Sequence, residues 1–422
     1  MQGWTEWDHG VFPTASDLDS LGIDRPIAVA HYSLHQCVVS SAALDALGIG
    51  RTTPDPQGGE IGRGEDGTPS GFLLERAWSS AHARSMAAYT DPDRWAEHIA
   101  ARSRVLHAEG ITAVHDAACS PAAEDLYRSM ASARTLPVSV LTMPHPEAIL
   151  VNDQTSRLEG ARTGEGDEWA RVGPMKFFAD GGQAMAIDAR IGGERMTMGL
   201  VMDDMAAHVE RAVARGWRVA VHAEGNVAID RSIDAFTAAS RRRPDDDHRF
   251  RIEHAFVASS RQIAQMRSVG SVAVVQPCFV EHIGDLVAGT SFDDHSWLAF
   301  GEMAASGVPL AASSDDPCAP FPPLWGGQGR DPHHRRRQRP RGGGGAAVRG
   351  VDPRVHDRRG IRRRSGGGAR QPHPRKARRH GGPRRSTRPA RAASGGGDLG
   401  SRGACVLARL GVIADGGDPL AG

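Results

Sequence analysis

Four polar residues close short apolar runs in this chain and are of types that bind metals or move protons: Lys176 in GPMKFFADGG, His222 in VAVHAEGN, His254 in FRIEHA and Asp315 in LAASSDDP. If those runs are strands of a β/α barrel, their C-terminal ends line the mouth where such folds place their chemistry. Histidine and carboxylate from successive strands can then converge on one divalent ion, which lowers the pKa of a bound water and polarises a carbonyl. Asp315 would accept the proton from that water. An ammonium group has no lone pair, so Lys176 becomes a ligand only as a carbamate. Each residue alone has a plainer reading: a strand-end histidine is commonly a hydrogen-bonded structural residue, and Asp315 before Asp316-Pro317 can begin a turn. The ordered set of four is what points to a site. His115, which ends ITAVHDA, is a fifth candidate.

The elements that must position these residues follow from periodicity. From Asp91 onward, helical patterns alternate with apolar runs, the signature of repeated β-α units and a parallel sheet. Seven strands are expected, at Ile111–His115, Val138–Met143, Pro174–Phe178, Arg218–His222, Phe250–His254, Val272–Gln276 and Pro309–Ser313. Helices are expected at Asp93–Glu109, Met205–Arg215, Ala228–Ala239 and Ser260–Val269, each closed by a glycine or a turn cluster. The expected fold class is therefore α/β, an incomplete TIM-like (β/α)8 barrel lacking its first strand, over residues 91–325. Residues 1–90 break the rhythm. Their turn-rich stretch TPDPQGGEIGRGEDGTPSG suits a lid-like insertion with a loop or small β excursion.

Composition divides the chain differently. The formal charge of +1 conceals 23 Arg and one Lys against six Asp in residues 326–422, a balance of +18, and a balance of −17 before it. The five cysteines form no CxxC pair, which argues against a disulfide scaffold or a thiolate zinc site and leaves ordinary reduced thiols. The first residues have neither a basic nor an apolar leader region, and no apolar run reaches the roughly 18 residues of a membrane helix. A cytoplasmic protein with no membrane partner is expected.

The motifs HQCVVSSAALDALGI, TPDPQGGEIGRGEDGTPSGFLLERA, GITAVHDA, MKFFADGG, VAVHAEGNVAID, RIEHA and GVPLAASSDDP, taken in order, resemble the amidohydrolase superfamily. The resemblance is to its family 3 branch, which includes N-substituted formamide deformylase, and it covers Gly3 to Leu324. It implies a distorted β/α barrel with a small β-sandwich, one or two divalent ions and hydrolysis of amide-type C–N bonds in a small molecule; zinc is the expected metal because His and carboxylate ligands suit it. The resemblance places the strand-four lysine, the strand-five and strand-six histidines and the strand-eight aspartate of the family on Lys176, His222, His254 and Asp315. Arg251 and Glu253 match as partners behind the ligands, while His35 and Glu75 fall where they could contact substrate. Three departures stand against this. The His-x-His pair of the family's first strand has no counterpart, since His31 and His35 are four apart; Asn226 replaces an aspartate; and Ser40 replaces an asparagine. A truncated chain with impaired activity is the corresponding expectation, with a homo-oligomer possible.

The basic segment 326–422 reads in two ways. A +18 tail suggests nucleic-acid binding through phosphate contacts, but no Phe or Tyr is interleaved for base stacking. Arg, Gly, Pro and Ala are also what GC-rich DNA yields out of frame. A one-base shift of the codons for PHPRKARRHGGP permits LTPGKLADMVV, which resembles the closing motif of the same family. The preferred expectation is a disordered, frameshifted tail with no nucleic-acid partner.

Overall fold

The computed structural model describes residues 2–4, 11–89, 92–146, 153–202, 204–282, 290–319 and 406–407. Two units divide the chain, and every described residue lies in the one formed by Met1–Gly344 and Cys405–Gly422. Apart from Val406 and Leu407, the basic tail lies outside the described residues, so the expectations for it do too.

The first 75 residues build a five-stranded sheet from β1 (Gln2–Trp4), β2 (Ala28–His31), β3 (Gln36–Val39), β4 (Gly59–Arg63) and β5 (Pro69–Glu75), in the order β1-β2-β3-β5-β4. The turn-rich stretch is its β4–β5 hairpin. Asp66 accepts the Thr68 amide at the tip, and Gly67 takes a φ of 80° that L side chains rarely adopt. Burial alternates along β5, and the inward Leu73 packs with Cys37, Val39, Ile61, Trp78 and Phe178. Phe178 belongs to a later strand, so this sheet is cored against the rest of the fold.

Among the described residues, nine further strands lie in two parallel sheets. One contains β6 (Ala113–Cys119), β7 (Ser139–Pro144), β8 (Ala170–Val172) and β18 (Val406–Leu407), in the order β18-β6-β7-β8. The other contains β9 (Met175–Phe178), β12 (Val219–Ala223), β13 (Arg251–His254), β15 (Val272–Val275) and β17 (Leu310–Ala312), in the order β17-β15-β13-β12-β9. Between them in sequence lie the hairpin of β10 (Ile187–Ile191) and β11 (Glu194–Met198) and the small pair β14 (Val257–Ala258) and β16 (Ser296–Trp297).

Each of the seven expected runs carries a strand, but the single barrel sheet does not form among the described residues. The break falls at Pro174. The Gly173 amide still donates to Thr142 on β7, whereas the Met175 amide donates to Arg218 beside β12, and the proline between them has no N–H to offer either sheet. Side chains from both sheets nevertheless share one interior, where Ala117, Met143, Ala220 and Val274 pack together. The outer edge of β6 pairs with Val406–Leu407.

Ten helices complete the described fold: α1 (Ala15–Asp19), α2 (Ser41–Leu47), α3 (Arg76–Tyr89), α4 (Pro92–Ala108), α5 (Pro121–Ser132), α6 (Met205–Ala214), α7 (Asn226–Arg242), α8 (Ser260–Val269), α9 (Phe279–His282) and α10 (Phe300–Ala305). Local chemistry sets their ends. Ser259 and Gln262 form a capping box before α8, and Gly270 closes it in the left-handed conformation. Ser40, where the family pattern has asparagine, caps α2 through the Ala43 amide and also accepts the Ile27 amide. On α7, Ile229, Ile233 and Phe236 recur at helical spacing on the buried face, and Phe236 stacks on Phe250 at 4.3 Å. No described helix is long and apolar enough to cross a membrane.

Candidate metal centre

His222 and His254 come from adjacent strands. In the β12–β13 register His222 sits opposite Glu253 and Ala223 opposite His254, so regular alternation would send the two imidazoles to opposite faces. A break at the strand end prevents this. His254 has φ 78° and Ala255 φ 51°, and the imidazole is delivered to 4.6 Å, centroid to centroid, from that of His222. Glu75 and Asp315 are likewise non-glycine residues with φ near +50°. Such conformations cost about 1–3 kcal/mol each and gather where the surrounding structure imposes them for function.

The tautomer of His254 follows from its neighbours. Gln276 donates its amide N–H to Ser313 Oγ (2.9 Å) and to the Val274 carbonyl (3.1 Å), which leaves Gln276 Oε1 to accept from His254 Nδ1 at 3.0 Å. A proton on Nδ1 leaves the Nε2 lone pair for a ligand. Burial lowers the His254 pKa to about 4, so the imidazole is neutral at physiological pH.

Glu224 completes a group of three. It lies on the turn between β12 and α7, with Oε1 3.9 Å from His222 Nε2 and 3.9 Å from His254 Nδ1, the nitrogen that donates to Gln276. One ligand-type atom from each of His222, Glu224 and His254 falls within 4.8 Å of the others, and all three residues are buried. Glu224 Oε2 is buried with no hydrogen-bond partner among the described residues. Burial, reinforced by the charges of Asp180, Asp315 and Glu75 and opposed by Lys176, holds the Glu224 carboxyl well above the usual range. A cation at this point would relieve that penalty beside the imidazoles of His222 and His254, so the donor set fits a divalent ion.

The remaining predicted residues surround this group or form a separate one. Lys176 on β9 is 1% exposed, with Nζ 4.9 Å from the centre of the Phe178 ring, and its charge reaches Glu224 and His254. Asp315 follows β17 and acts electrostatically on the same two residues, while its neighbour Asp316 accepts a 2.5 Å hydrogen bond from Arg102. His35 and Glu75 arrive from the N-terminal sheet with Nδ1 and Oε2 2.7 Å apart, and the His35 ring lies 5.2 Å from that of His222. Glu75 Oε1 also accepts the Gln183 and Ala184 amides. The glycines of FADGG make this approach possible, since a Cβ on Gly181 would sit 2.2 Å from the Glu75 carboxyl and one on Gly182 2.6 Å from the His35 ring.

His115, Arg251 and Glu253 cluster together instead. Arg251 holds Glu253 through two hydrogen bonds of 2.8 and 3.1 Å and donates to His115 Nδ1 at 3.1 Å. Burial, then the Arg251 charge, lowers His115 to about 4. Asn226, the departure in HAEGN, bonds both backbone groups of Asp188 and so ties the start of α7 to the β10–β11 hairpin.

Four residues near the site were not singled out from sequence: Glu224, Gln276, Asp180 and His145. His145 donates from Nδ1 to the Lys176 carbonyl at 2.9 Å. Gln276 ends the run VAVVQ and Glu224 follows the strand-end histidine by two residues, so position alone could have flagged both.

Comparison with known proteins gives this arrangement a context. N-substituted formamide deformylase of Arthrobacter pascens is 31% identical over 336 residues, covering 76% of this chain and 61% of that protein. The chain spans about three fifths of the length of the curated relatives it matches. Crystal structures of uncharacterized metal-dependent hydrolases from Pyrococcus furiosus and Pyrococcus horikoshii OT3 share the fold, with TM-scores of 0.54 and 0.55 at 22% and 21% identity. They cover 77% and 76% of this chain, which spans 65% and 63% of theirs. The profile of the amidohydrolase family Amidohydro_3 matches residues 1–372, more than four fifths of the sequence, and the chain therefore belongs to that family.

Proposed function

We propose that this chain is a metal-dependent amidohydrolase that cleaves a non-peptide C–N bond in a small amide-type substrate, with one divalent ion, zinc for preference, held by His222, Glu224 and His254. The observation that carries the reading is the convergence of those three buried side chains, with ligand atoms within 4.8 Å, at the ends of adjacent parallel strands. Imidazole and carboxylate suit zinc among the common divalent ions. The ion, when bound, supplies Lewis acidity toward a water and a carbonyl.

The protein groups do the rest. Asp315 takes the proton of the attacking water and returns it to the leaving nitrogen. Lys176 offsets the negative charge around Glu224 and joins the ligand set only as a carbamate. His35, oriented by Glu75, faces the substrate from the side of the N-terminal sheet, and Arg251 and Glu253 support the strand that carries His254. The similarity to N-substituted formamide deformylase makes N-substituted formamides the first substrates to try. The test is amine release from a panel of formamides and other small amides by the zinc-loaded chain. Activity is expected to disappear with chelator and in H254N. Turnover that survives both would overturn the assignment.

A further inference from the structure

Asp180 is fully buried two residues beyond β9, and its carboxylate is occupied entirely by backbone. Oδ1 accepts the Glu224 amide at 3.0 Å, and Oδ2 accepts the Gly225 amide at 2.8 Å and the Ala186 amide at 3.0 Å. These donors come from two segments, the turn that carries Glu224 and the approach to the β10–β11 hairpin. The segments are pressed together. A Cβ on Gly225 would fall 2.1 Å from the Ala186 carbonyl oxygen, which itself accepts the Val227 amide. Asp180 Oδ1 is also 3.8 Å from His222 Nε2, close but beyond hydrogen-bond reach.

We infer that Asp180 is the positioning residue for Glu224: its carboxylate clamps the HAEG turn by three amide hydrogen bonds, so that Glu224 is presented to the ion already in place. Asp180 is not itself a ligand, because its oxygens are aimed at amides. Charge-assisted bonds of this kind in a dry site hold a turn more tightly than neutral ones. Asparagine cannot substitute, since its amide nitrogen would meet backbone N–H groups instead of accepting from them.

This inference rests on the proposed centre, and the experiment separates the two. Zinc alone is titrated into the full chain, wild type and Asp180→Asn, in competition with a chelating dye, and the cobalt-substituted absorption spectra are compared. Loss of such a supporting partner weakens metal binding about 10–100-fold, so D180N is expected to lose affinity by that factor and to change the cobalt spectrum. Added to Glu224→Gln, D180N should weaken binding no further. Zinc affinity within about twofold of wild type with an unchanged cobalt spectrum would overturn the inference while leaving the centre standing. Failure of the wild type to bind zinc overturns both. If D180N does not fold, a zinc-soaked crystal of the wild type decides: an ion on Glu224 with Asp180 still on its amides supports the assignment, and an ion on Asp180 overturns it.

Discussion

Replacing Glu75 by alanine tests whether the N-terminal sheet is locked to the site by a single carboxylate. Glu75 is fully buried and accepts from His35 Nδ1 at 2.7 Å, the Gln183 amide at 2.9 Å and the Ala184 amide at 3.0 Å. Leaving a buried donor without an acceptor costs about 1–3 kcal/mol. Water entering the vacated space would satisfy part of the set, so the three together set an expected loss of about 3–6 kcal/mol. That is a large fraction of the roughly 5–15 kcal/mol by which a domain is stable.

Glutamine should be milder at this position. Its carbonyl can serve both amides while its NH2 donates to a His35 ring that has moved its proton to Nε2. The assay is equilibrium urea unfolding of wild type, E75A and E75Q. A loss of less than about 1 kcal/mol in E75A, or an equal loss in both variants, would refute the reasoning.

Two further predictions concern stability. His115 has a folded pKa near 4 against 6.5 in the unfolded chain, so its contribution is present above pH 6.5 and is lost as pH falls toward 4, by up to about 3 kcal/mol. Asp180, raised by burial to about 7, works in the opposite sense, so the comparison to make is the stability difference between wild type and H115N. That difference should move against the wild type as pH falls from 6.5 to 4.5, and a constant difference in urea midpoints would contradict it. Phe236→Ala removes a fully buried ring stacked on Phe250 and is expected to cost about 3–5 kcal/mol in urea unfolding; a cost below about 1 kcal/mol would show that α7 is not cored there.

Much of the scaffold is legible in the sequence because strand and helix periods are local. Ser260–Val269 is marked by its capping box and closing glycine, and the seven apolar runs each hold a parallel strand. Closure of a barrel is not local. Whether the chain past Gly173 stays bonded to β7 or passes to β12 is decided where Pro174 leaves it without a donor, which no periodicity reports. The approach of Val406–Leu407 to β6 is longer in range still.

The site divides in the same way. Lys176, His222, His254 and Asp315 stand out because they end apolar runs, whereas Glu224 lies in a turn, where an acid ordinarily signals solvent. It is buried there, and its amide is accepted by Asp180, 44 residues earlier. The left-handed backbone at His254, which brings its ring to His222, is equally silent in a run that reads as plain alternation.

The most direct test of the central claim is the zinc content of the full chain after loading and gel filtration, measured beside a variant carrying His222→Asn, Glu224→Gln and His254→Asn. The account predicts about one tightly held zinc ion per wild-type chain, the content of a mononuclear site, and essentially none in the triple variant with its fold intact. Equal zinc in the two proteins, or none in either, would contradict it.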